Sequence, residues 1–244
     1  MSYSFDVLWL SASPSLKYFD QPLLRNLSKY LNIARWEYRQ TKDEASSIDK
    51  AVALLYDCIR SCDRPVHLVG HGISGIVGLI FARQYPQQVQ SLTLLAVAAQ
   101  PATTWHTHYY IQRQLLPITR EQVLVNTVRS LFGNKHHYST KKLAIALERD
   151  LEESPSVHSL FRLANLPKGQ VSVPLMVCGS KTDPVVHPPV LHEWLTWLKP
   201  EDKLWECPTG YHFFHHFYPQ LVGKQILHFW QLNHPQLLPK IVNS

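Results

Sequence analysis

The chain has 244 residues, of which 45% are hydrophobic and 17% charged, with a formal net charge of +6. That length suits one large α/β domain or two small ones, and that apolar share excludes wholesale disorder. No apolar run reaches the roughly 18 to 20 residues of a membrane-spanning helix, so an integral membrane segment is not expected.

Short apolar runs alternate with helical patterns. Residues 5–10 (FDVLWL) predict a strand, and Leu23, Leu24, Leu27 and Leu31 give the spacing of a helix over 20–31. A strand at 34–39 precedes a helix at 46–62, with Ser46 or Ser47 as N-cap and Asp49 in the first turn. Strands at 65–70 and 91–97 flank a helix over 74–86 that Pro86 ends. The stretch from about 103 to 165 reads as helices only, at 103–116, 119–131, 139–151 and 154–164. Thr119 and Gln122 form a capping-box pattern, and Ser154–Pro155 an N-cap followed by proline. A strand at 171–179, a helix at 188–198, a strand at 203–207 and a long helix at 212–232 complete the chain. This order predicts an α/β fold with a six-stranded, mostly parallel sheet and helices on both faces. The expected division is a core of residues 1–101 and 166–244 with a helical insertion at 102–165.

The N-terminal stretch MSYSFDVLWLSASPS lacks a basic region and carries Asp6, which argues against a signal peptide. Four cysteines without a C-x-x-C pair predict neither a disulfide scaffold nor a zinc ribbon, but reduced thiols in a cytoplasmic protein. The basic surplus sits in the middle third, where residues 65–165 carry 9 Lys/Arg against 5 Asp/Glu. No dense basic run or nucleic-acid module accompanies it, so a small-molecule ligand or a protein partner is expected and nucleic acid is not.

The segment HLVGHGISGIVGLIFARQYP joins a buried strand, a glycine-rich turn and a helix, and GSKTDPVV and TGYHFFHHF each follow a later strand. In these features the chain resembles the α/β-hydrolase superfamily over roughly residues 5–232. The resemblance implies that the insertion is a cap over the active site, that Asp183 is the triad acid and that His212 is the triad histidine. It also implies an oxyanion pocket built from backbone amides near Ile73 and Ser11, although Ser11-Ala12-Ser13-Pro14 stands where many members carry His-Gly. No Asp or Glu lies between Asp63 and Glu121, which closes the alternative acid position used by some members.

The turn departs from the family's G-x-S-x-G. Aligned on Gly70 and His71, the nucleophile position is Gly72, which leaves it vacant. Aligned on Ser74, the second glycine is lost and the serine moves into the first helical turn, where it reads better as a cap for backbone amides. Acyl transfer needs an oxygen or sulfur at that turn, and glycine supplies neither. The leading expectation is therefore a degenerate hydrolase kept for binding or scaffolding. Alternatives are an esterase using Ser74 or a water activated by His212, a lyase or oxygenase using His212–Asp183 as base, and a glycine placed in a serine hydrolase to trap substrate.

His71, Ser74, Trp105, His106 and Tyr109 are the expected pocket residues beside Gly72. His106 and His108 also read as packing residues of the insertion. His212, His215 and His216 share helical spacing, but without a carboxylate in the segment no metal site is expected, and no cofactor is. His136 and His137 fall in a polar loop.

Overall fold

The computed structural model describes residues 5–39, 43, 46–134 and 138–233, so His136 and His137 lie outside the described residues. Six strands form one sheet: β1 (Val7–Ser11), β2 (Ile33–Glu37), β3 (Val66–His71), β4 (Val89–Leu95), β5 (Leu175–Ser180) and β6 (Lys203–Cys207). Their order is β2-β1-β3-β4-β5-β6 and every pairing is parallel. The chain moves outward from β1 to β2, returns to β3 on the other side of β1, then advances to β6. That reversal makes the carboxyl ends of β1 and β3 a topological switch point, where open parallel sheets hold their ligands.

Both faces of the sheet are covered, which is why its strands read as unbroken apolar runs. Leu8, Leu10, Leu68, Leu92, Leu94 and Val177 point into one core, shared with α2 (Ile48–Ile59) and α3 (Ile73–Gln84). Val7, Trp9, Val69, Leu95 and Met176 point into the other, shared with α1 (Gln21–Leu27) and α11 (Pro219–Asn233). Helix α2 buries Ile48, Ala51, Val52, Leu55 and Ile59 as one stripe. Each fully buried Ile or Leu there contributes about 1.5–3 kcal/mol relative to exposure.

Between β4 and β5 lie α4 (Trp105–Leu115), α5 (Arg120–Phe132), α6 (Thr140–Glu153), α7 (Pro155–His158) and α8 (Leu160–Ala164). Both halves of the Thr119–Gln122 capping box are present. This helical layer rests on the loops at the carboxyl edge of the sheet. The ring of Phe132 stacks on Phe213 at 4.5 Å, and Ser15 of the loop after β1 donates to Asp150 of α6 at 3.2 Å.

Five expected elements come out differently. The helix at 20–31 starts earlier, as a 3-10 turn over Pro14–Asp20, because Ser13–Pro14 already opens a helical segment. The helix at 154–164 breaks at Ser159, whose hydroxyl accepts from the amide of Ile48 at 2.9 Å. Ser47 occupies the N-cap of α2 without a side-chain bond, so the serine of a remote segment does that work. The strand at 171–179 starts only after Pro174, and the helix at 212–232 divides into α10 (Phe214–Phe217) and α11 at Pro219. The shorter helix at 188–198 is α9 (Pro188–His192) followed by a 3-10 turn, Glu193–Thr196.

Candidate active site

Gly72 joins β3 to α3 at φ +51° and ψ −124°, a conformation cheap only for glycine. The turn is tight because the strand end and helix start touch through their backbones. A Cβ on Gly70 would lie 2.5 Å from the amide nitrogen of Gly75. Two residues on, Ser74 is buried and its hydroxyl accepts from the amide of Ala12 at 2.8 Å. That bond ties the first turn of α3 to the loop after β1 and gives the Ser74 hydroxyl a structural partner.

A Cβ placed on Gly72 would meet one side-chain atom within ordinary contact, Nε2 of His212 at 4.0 Å. His212 sits in the loop after β6, and its Nδ1 lies 2.9 Å from Oδ2 of Asp183 in the loop after β5. Oδ1 of Asp183 accepts from the amide of Val185 at 2.8 Å. Burial pushes the Asp183 carboxyl up, but the His212 ring and the amides of Val185 and Val186 outweigh it and hold it below its ordinary range. Asp183, held ionised, accepts a hydrogen bond from Nδ1–H of His212, which leaves Nε2 as the ring nitrogen on the side of position 72. The two loops are fastened together next to this pair, since Thr182 Oγ1 accepts from the amide of Tyr211 at 3.0 Å. Tyr211 adopts φ +55°, an uncommon conformation for a bulky residue, directly before His212. The amide of His212 itself donates to the carbonyl of Leu131 on α5 at 3.2 Å.

Two more buried His–carboxylate pairs surround this one. Asp20 accepts from Trp9 Nε1 at 3.0 Å and lies 3.1 Å from His215 Nε2. Burial is the main cause that raises its pKa to about 6. Burial, reinforced by neighbouring imidazoles, holds both His71 and His215 well below the usual histidine range. In the helical layer, His106 Nε2 lies 2.9 Å from Asp150 Oδ2, with both side chains almost fully enclosed.

A narrow cleft opens over Gly72 in two lobes. The first, with about 20 Å³ open to water-sized molecules, is lined by Ser11, Ser13, Asp20, His71, Ser74 and Trp105 together with Gly72, Ile73 and His212. The second, of about 10 Å³, adds Thr104, His106 and Val97 around Gly72, Ile73 and His212. Each is close to the size of a single water site. Tyr109, expected in the pocket, is instead buried and lines a separate recess with Tyr110, Arg113 and Arg120, because it lies one turn farther along α4 than Trp105. His212, His215 and His216 do not converge. His216 turns to the Phe19 carbonyl at 3.2 Å and to the Tyr138 hydroxyl at 2.7 Å, while His215 turns to Asp20.

Asp20, Asp150 and His215 were not among the residues singled out from the sequence as functional carboxylates or bases. For Asp150 a signal existed. It shares a helical stripe with Leu143, Leu147 and Leu151, and an acid on an apolar stripe needs a buried partner.

No family model matches the chain. It is 59% identical to the uncharacterized protein alr2406 of Nostoc sp., over 97% of this chain and 94% of that protein. It is 37% identical to the uncharacterized protein sll0249 of Synechocystis sp., over 92% of this chain and 90% of that one. Among solved structures it is similar to a hydrolase from Pseudomonas aeruginosa, with a TM-score of 0.70 at 17% identity, covering 94% of this chain and 91% of the other. A hydrolase from Oleispira antarctica gives 0.70 at 15% identity, covering 95% and 93%. An alpha/beta hydrolase fold protein from Chitinophaga pinensis gives 0.65 at 16% identity, covering 96% and 91%.

Proposed function

The chain belongs to one family with the Nostoc and Synechocystis proteins and has the α/β-hydrolase fold, and from that premise we propose that it is a hydrolase-fold binding protein whose elbow lacks a nucleophile. It takes a small ligand into the cleft over Gly72 and does not pass through an acyl-enzyme. The observation that carries this reading is the conformation of Gly72, with His212 Nε2 lying 4.0 Å from where its Cβ would be. The turn has the shape and the base for nucleophilic catalysis and no atom to attack with. Loss of a triad nucleophile costs on the order of 10⁶ in rate. Ser74 does not fill the gap, because its hydroxyl holds the amide of Ala12.

In this reading residues 102–165 form a cap, and the amides near Ile73 and Ser11 form an anion-stabilising corner without a reaction to serve. With the Ala12 amide already engaged, the neighbouring Ser13, which also lines the cleft, is the better-placed donor of that loop. Reduced, free cysteines at 58, 62, 178 and 207 support a cytoplasmic setting. Among the described residues no helix is long and apolar enough to cross a membrane.

The test is labelling by a fluorophosphonate probe together with hydrolysis of p-nitrophenyl acetate. The wild-type chain is expected to give neither, and Gly72→Ser to gain both. A second reading is supported by the intact His212–Asp183 pair, in which His212 activates a water or abstracts a substrate proton. Wild-type turnover that disappears in His212→Ala would replace the binding reading with that one.

A further inference from the structure

The helical layer carries a recess of about 300 Å³ that shares no lining residue with the cleft over Gly72. Its walls come from three helices: Tyr109, Tyr110 and Arg113 from α4, Arg120 from the start of α5, and Leu151 and Glu152 from the end of α6. Positions 109 and 113 lie one turn apart on a common face of α4. The rings of Tyr109 and Tyr110 meet edge to face at 5.3 Å, and with the buried Leu151 they supply the apolar part of the wall. Tyr109 is only 3% exposed, yet its hydroxyl bonds to no described residue. A buried phenol ordinarily has a partner, so this one is left for a molecule in the recess.

The charges of the recess are paired unevenly. Arg120 reaches Glu148 at 3.1 Å but Glu152 only at 3.8 Å, too long for a hydrogen bond. Glu152 therefore keeps a carboxylate with no hydrogen-bonded cation. Arg113 gives one Nη1–H to the carbonyl of Ile118 at 3.2 Å, and no described carboxylate pairs with its guanidinium. One incompletely matched charge of each sign thus stands beside an apolar wall. Glu152 repels a simple anion and Arg113 repels a simple cation, whereas a molecule that carries both charges satisfies both.

We propose that this recess binds a free α-amino acid with an apolar side chain, as its zwitterion. Arg113 and the Tyr109 hydroxyl donate to the carboxylate, and Glu152 accepts from the ammonium group. The apolar side chain lies against Leu151 and the tyrosine rings. The volume stands at the lower end for small-molecule sites, which suits a single amino acid. Nothing in this site depends on what stands at position 72.

The test titrates full-length ¹⁵N-labelled protein with L-phenylalanine, and with 3-phenylpropanoate and 2-phenylethylamine, which keep the ring but only one charge each. L-phenylalanine is expected to bind and to move the amide resonances of residues 109–113 and 151–152 while those of Gly72 and Ile73 stay in place. Each single-charge analogue is expected to bind about fivefold more weakly, the scale of one part-exposed ion pair. Arg113→Gln and Glu152→Gln are each expected to lose a similar factor for L-phenylalanine, and Glu152→Gln to bind 3-phenylpropanoate as well as it binds L-phenylalanine. Both side chains are exposed, so both variants are expected to unfold cooperatively like the wild type. No binding of L-phenylalanine, shifts confined to the surroundings of Gly72, equal affinity for the three compounds, or unchanged affinity in the two variants overturns the inference.

Discussion

A serine at position 72 must adopt φ +51°, and such strain costs about 1–3 kcal/mol. Gly72→Ser is thus expected to lower the urea midpoint while it gains reactivity, and a variant as stable as wild type would show that the turn relaxes. Ser74→Ala is expected to destabilise by a similar 1–3 kcal/mol, since it strands the buried amide of Ala12, without affecting any reactivity conferred at position 72. Chemical denaturation and probe labelling of the two single variants separate these roles. The placement of Gly72, Asp183 and His212 just after strand ends was legible in the sequence, because each follows an apolar run in order. The acids Asp20 and Asp150 were not, because their partners His215 and His106 lie 195 and 44 residues away and no local pattern links them.

Among the elements, the start of α2 depends on a hydroxyl from the far side of the chain. Ser159→Ala is expected to cost about 0.5–2 kcal/mol and to raise hydrogen exchange selectively at Ile48 and the first turn of α2. Uniform protection with unchanged stability would mean that another group takes over the cap. The same serine explains why the helix expected over 154–164 is interrupted. Periodicity showed that apolar residues recur there, but a break whose reason is a tertiary hydrogen bond leaves no trace in spacing. The strands were the most readable elements, because burial on both faces makes each a short continuous apolar run. The 3-10 turn Pro14–Asp20 was passed over although Ser13–Pro14 carried its signal.

For the whole molecule, the cluster of buried imidazoles sets an acid limit on stability. His71 and His215 are held well below their ordinary value of 6.5, so the unfolded chain takes up protons there that the folded chain refuses. Their contribution is present above pH 6.5 and is lost as pH falls. Asp20 acts with the opposite sign, since its raised pKa makes the folded chain bind the extra proton between about 6 and 3.8. Asp183, held low, adds a loss only at more acid pH. The urea midpoint is expected to fall between pH 7.5 and 6 and to go on falling below that, because the two histidines outweigh the single Asp20, and a midpoint that rises as pH falls over the first interval would refute this account. The parallel sheet and its inserted helices were foreseeable from the alternation of strands and helices, whereas the narrowness of the cleft depends on packing that alternation does not encode. One tether ties these scales together. Because the carbonyl of Leu131 holds the amide of His212, the loop that presents the base is anchored to its roof as well as to its floor. In the proposed reading, prising that helical layer open to admit a guest would also loosen His212, so that entry and proton acceptance would be linked, and excising the layer would leave His212 without this second mooring.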